Sequence, residues 1–173
     1  WWTDETVLHI LPHWNLSGHE GETISLWAYS NCDEVELIVN GKKLGRKPMP
    51  KNGHLEWEAV YKPGYVEAIG YKNGKRIARQ RIETTGEPAE VKVEKWQRDG
   101  ITIVNVSVHD KKGRLVPTAS VPLNVTLAEG SRLLGWGNGD SAFKHAEHDI
   151  NAIQTFNGYA QIIVEGDVKE VKL

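Results

Sequence analysis

The sequence predicts an all-β protein: two tandem immunoglobulin-like antiparallel β-sandwich domains, residues 1–87 and 88–173. Three observations predict it. Apolar and polar residues alternate along short runs, Gly/Asn/Pro turn signals recur about every 8–12 positions, and no segment shows a convincing helical repeat of ten or more residues.

The elements follow in order. "ETISLWAY" reads as a strand through Ile24, Leu26 and Ala28. In "DEVELIVNGKKLG", Val35, Leu37 and Val39 share one face, with Glu34, Glu36 and Asn40 opposite. Asn40-Gly41 then supplies the pair that a tight hairpin prefers, and Leu44 begins a return strand that Pro48 and Pro50 end. "HLEWEAVY" alternates Leu55, Trp57 and Ala59 against Glu56, Glu58 and Val60, and Lys62 to Gly64 form a turn. "YVEAIGYKNGKRIARQRIET" is a second hairpin, closed by Asn73-Gly74. "TTGEPAEV", punctuated by Gly86 and Pro88, marks the domain boundary, and strand patterning restarts at Val91 and Val93. A strand through Val104, Val106 and Val108 follows, then a polar turn at Asp110 to Gly113, then strands in "SVPLNVTLAEG", "SRLLGW", "NGYAQIIVEG" and "VKEVKL". Residues 141–152 alone look helical.

Composition narrows the partners. The chain has 173 residues and a formal charge of -2, with each half near -1, so charge gives no reason to expect nucleic acid or an anionic membrane. No run of about 18 apolar residues exists, so no membrane span is expected. One cysteine, Cys32, excludes an internal disulfide. The chain opens on Trp1 and Trp2 and its only methionine is Met49, so the expectation is a piece excised from a longer protein.

Catalysis finds no support in the residues. Glu34/Glu36 and Glu56/Glu58 sit at i, i+2 on outward faces and read as solvated surface, and no nucleophile motif surrounds a serine or Cys32. No metal site or cofactor is expected. Pro12 forbids a helix through His9 and His13, and a strand would hold their rings about 13 Å apart. His145, His148 and Asp149 are better spaced, but read as a surface loop. Lys42, Lys43, Arg46, Lys47 and Lys51 straddle a hairpin, where charge is ordinary and blunts edge pairing. Sequons at Asn15, Asn105 and Asn124 read as chance matches. Of seven tryptophans, Trp57 is expected in the core, and Trp1, Trp2 and Trp14 suit a seam against another domain.

"GWGNGDSAFKH", Gly135 to His145, stands apart. Gly137 and Gly139 can take positive φ, Asn138 tolerates it, and Asp140 can bond nearby amides, which together describe a sharp, self-satisfied turn. The second reading is a carbohydrate contact by Trp136, Asn138 and Asp140, polar groups beside an indole.

The pieces "HILPHWN", "YSNCDEVEL" and "NGKKLG", then "LEWEAVYKPGYVEAIGY", resemble the segment after the catalytic barrel in bacterial family 2 glycoside hydrolases of the β-galactosidase type. "VHDKKGRLVPTA" and "GWGNGD" resemble the immunoglobulin-like domain that comes next, although Ser141 stands where that family often has proline. The resemblance implies a retaining glycosidase as parent, with both catalytic carboxylates on a barrel outside these residues. It implies non-catalytic accessory domains that pack on that barrel and shape its entrance or oligomer contacts, and a periplasmic or extracellular parent. Carbohydrate and a second copy of the parent stay open as further partners. An autonomous carbohydrate-binding module and an adhesion-type sandwich are the alternative functions.

Overall fold

A computed structural model describes residues 3–142 and 147–173. It comprises two compact units, Trp1–Thr84 and Thr85–Leu173, every strand pair in them antiparallel.

The first unit holds seven strands: β1 (Leu8–Leu11), β2 (Thr23–Ser30), β3 (Glu34–Val39), β4 (Lys42–Pro48), β5 (Leu55–Val60), β6 (Tyr65–Lys72) and β7 (Lys75–Glu83). They form a three-stranded sheet, order β1-β2-β5, and a four-stranded sheet, order β4-β3-β6-β7. The inner faces follow the alternation: Leu26 and Ala28, Val35 and Leu37, Leu55 and Trp57, Val66 and Ala68 form one buried cluster. Both expected hairpin pairs adopt the left-handed backbone at each position, Asn40 and Gly41 at φ 48° and 83°, Asn73 and Gly74 at 50° and 74°. The Leu11-Pro12 peptide is cis.

Trp14 corrects one expectation. Rather than lining a seam, it is fully buried in the first unit's own core, edge-on to Tyr61 with ring centroids 4.9 Å apart. Its indole N–H donates to the Lys62 carbonyl at 3.1 Å, and the Thr84 hydroxyl donates to its carbonyl at 2.5 Å. An indole this well packed and bonded ties the β1–β2 loop and the end of β7 to the core. Trp1 and Trp2 lie outside the described residues.

The second unit holds β8 (Glu90–Arg98), β9 (Ile101–His109), β10 (Asn124–Leu127), β11 (Arg132–Gly137), β12 (Tyr159–Glu165) and β13 (Val168–Lys172). A four-stranded sheet runs β11-β12-β9-β8, and β10 pairs with β13. Val104, Val106, Trp136, Ile153, Ile162 and Val164 fill its core. The β8–β9 hairpin turns on Asp99 and Gly100, φ 51° and 79°. Of the segment with a helical look, the described part contains one 3-10 turn, Ile150–Ala152, capped by the Asp149 carboxylate accepting from the Asn151 amide at 2.9 Å.

Candidate functional site

The Gly135–Asp140 segment closes β11 and begins a turn. Only Gly139 takes positive φ, at 83°, because Gly135 and Gly137 are still in the extended strand. Trp136 points inward: it is 5% exposed, belongs to the core cluster, and its indole N–H donates to the Asp149 carbonyl at 3.2 Å. Asn138 donates from Nδ2 to the Gln154 carbonyl and accepts the Asp140 amide on Oδ1, while Asp140 accepts the Ala142 amide at 2.9 Å. The polar groups of this segment thus serve the turn itself.

With Trp136 inward, period-2 alternation sends Gly135 and Gly137 to the outer face of the sheet. Register across the sheet assembles three rows there. Trp96, Ile103 and Ile163 run to Gly135; Glu94, Asn105 and Gln161 run to Gly137; Lys92, Ser107 and Tyr159 form the third. A groove of about 810 Å³ lies over the glycines, bounded by Glu94 and Tyr159 on one side and Glu147 and His148 on the other. A hollow of about 260 Å³ adjoins it, sharing Asn105 and Tyr159 and adding Ser107 and His109. Gln161 Nε2 donates to Asn105 Oδ1 at 2.9 Å. The Gly113 carbonyl can only accept, so His109 Nδ1 carries the proton shared with it, and His109 Nε2 accepts from the Ser107 hydroxyl at 2.9 Å. His145 lies outside the described residues.

In the first unit the two outer faces differ. That of the four-stranded sheet is covered by its own charges. Lys43 bonds Glu36 at 2.9 Å, Arg46 pairs with Glu34 and lies 3.7 Å over the Tyr71 ring, Arg79 pairs with Glu67, and Arg81 lies 3.7 Å over Tyr65. Glu36 is consequently buried instead of solvated, although it points outward as expected. The hydrogen bond from Lys43 holds its carboxyl below the ordinary 4.5, and that from Arg79 does the same for Glu67. The outer face of β1-β2-β5 instead presents Leu11, Trp27, Tyr29 and Val60, all exposed, with His54 stacked on Trp27 at 4.5 Å. Elsewhere, Asp110 is 2% exposed and accepts the amides of Gly86, Lys112 and Arg114. The Arg114 guanidinium and these amides hold its carboxyl far below the usual carboxylate range.

Sequence reasoning missed the outer-face groups Asn105, Tyr159 and Gln161. Their signal was period-2 spacing, but their neighbours are set by register between segments more than fifty positions apart.

Residues 88–173 match the family described as "Glycoside hydrolase family 2 C-terminal domain 5", and residues 21–78 match "Domain of unknown function (DUF4982)". A β-galactosidase of Bacteroides ovatus is 36% identical over 99% of this chain and 21% of its own length. A protein named as a β-glucuronidase of Formosa agariphila is 40% identical over 91% of this chain and 14% of its own length. The crystal structure of a β-glycosidase from Bacteroides vulgatus superposes with a TM-score of 0.86 at 32% identity, covering 96% of this chain and 22% of that one. The chain thus spans about a fifth or less of the curated relatives it matches. It belongs to the C-terminal domains of family 2 glycoside hydrolases.

Proposed function

We propose that the two sandwiches are non-catalytic accessory domains of a β-galactosidase-type glycoside hydrolase, docked on the catalytic domain of the same parent chain. The observation that carries this reading is the outer face of β1-β2-β5. Leu11, Trp27, Tyr29 and Val60 leave an aromatic and aliphatic surface open to water, which a covering domain would desolvate. The occupant is the remaining four-fifths of a protein like those this chain matches. The carboxylates agree with a non-catalytic role. A retaining glycosidase needs one carboxyl with raised proton affinity to act as general acid. Glu36, Glu67, Asp110 and Asp167 are each shifted the other way, by Lys43, Arg79, Arg114 and Lys95 respectively.

In the full-length parent, Trp27→Glu combined with Tyr29→Glu is expected to lower both the thermal midpoint and kcat. The same pair in the 173-residue chain leaves its midpoint nearly unchanged, because both side chains are exposed. Unchanged activity and midpoint in the parent would sink the docking role. Hydrolysis of a nitrophenyl β-galactoside by the 173-residue chain alone would sink the non-catalytic one.

A further inference from the structure

The outer-face groove of the second unit goes beyond docking, because its construction is that of a binding surface. It owes its depth to missing side chains: a Cβ at Gly137 would meet nothing within 4 Å, and one at Gly135 would meet only the Glu147 carbonyl, at an ordinary 3.7 Å. Neither glycine has the positive φ that would require it for the backbone. Glycine inside a strand weakens it and often marks a place where another molecule approaches closely. Here the two glycines leave open a floor that any larger residue would fill.

We propose that this groove binds an uncharged oligosaccharide. Three features select that chemistry. Tyr159, 52% exposed, offers a ring face beside the groove, and Trp96, 54% exposed, offers another along the same sheet face, two residues beyond Glu94. Apolar ring faces suit the C–H surface of a pyranose. Between them, the bond from Gln161 Nε2 to Asn105 Oδ1 leaves Gln161 Oε1 as an acceptor and Asn105 Nδ2 as a donor, an adjacent pair matched to neighbouring sugar hydroxyls. The Ser107 hydroxyl hydrogen is directed to His109, so its oxygen accepts and continues the row along β9. Charge excludes acidic sugars. Among the described residues no lysine or arginine lines the groove, whereas Glu94 and Glu147 do, and Lys92 on the same face is bonded to the Gly113 carbonyl. The volume lies within the usual range for ligand sites of about 300–1,000 Å³. In this arrangement Trp136, Asn138 and Asp140 hold the strand end and turn that form the wall, and the contacts come from the neighbouring strands.

Calorimetric titration of the 173-residue chain tests the proposal, with β-1,4-galactotriose and cellotriose as neutral probes and trigalacturonate as the charged one. Saturable binding of a neutral probe is expected, with a dissociation constant below about 1 mM. Trigalacturonate is expected to bind at least about tenfold more weakly. Tyr159→Ala should weaken the neutral probe by about tenfold or more, and Gly137→Val should abolish binding while leaving the thermal midpoint at or above the parent's. Failure of both neutral probes, equal binding of trigalacturonate, or full-strength binding by Gly137→Val each overturns the proposal. None of these outcomes depends on whether the first unit docks on a catalytic domain.

Discussion

Each unit carries one four-stranded antiparallel sheet, and the two sheets treat their outer faces in opposite ways. In β4-β3-β6-β7, arginines and a lysine fold down onto glutamates and tyrosine rings, so the face is filled by its own side chains. In β11-β12-β9-β8, two glycines and a row of amides leave the face open. A strand glycine in each sheet makes the contrast sharp. At Gly70 in β6, a Cβ would lie 2.5 Å from Cys32 Sγ and 3.2 Å from Ala78 Cβ, so glycine is there because neighbours occupy the space. At Gly137 in β11 the space is empty. The same residue type serves tight packing in one sheet and vacancy in the other.

Gly70→Val breaks the packed side of this contrast and has the largest expected effect. Overfilling a closed site should destabilise the chain by about 1–3 kcal/mol, read from the denaturant midpoint.

The ion-pair face gives the next effect, through pH. Glu36 and Glu67 are held below the ordinary carboxylate value of 4.5. A carboxyl with depressed folded-state affinity for protons contributes stability that is full above its unfolded value and is lost as pH falls through the folded one. Stability should therefore fall below about pH 4.5. Glu67→Gln should lower the calorimetric midpoint at neutral pH and shrink its difference from the parent on acidification. A difference constant with pH would show that the ladder on this face contributes nothing through charge.

Smaller still, Tyr65→Leu removes the ring beneath Arg81 and should cost about 0.5–1 kcal/mol. Gly137→Val should have the smallest effect on stability, within about 0.5 kcal/mol of neutral or slightly stabilising. A loss as large as that of Gly70→Val would erase the contrast between the two faces.

How much of this was legible in sequence can be seen in three hairpins. Asn40-Gly41 and Asn73-Gly74 were readable because clean alternation flanks them. Asp99-Gly100 carries the same chemistry but was not read as a hairpin, because β8 is exposed along nearly its whole length and lacks a hydrophobic rhythm. Tryptophans show the reverse limit. Composition cannot separate Trp14, sealed against Tyr61, from Trp96, open to water.

The residues alone determined the all-β class, the inward sets in β2, β3, β5 and β9, and the sharp turn after Trp136, since alternation and positive-φ residues act over a few positions. Tertiary structure decided which outward residues meet. Glu36 lies under Lys43 and Arg46 of the neighbouring β4, and Gly137 lines up with Gln161, Asn105 and Glu94. Those meetings depend on strand register and pairing order, which local sequence constrains only where one face is apolar enough to forbid a slip.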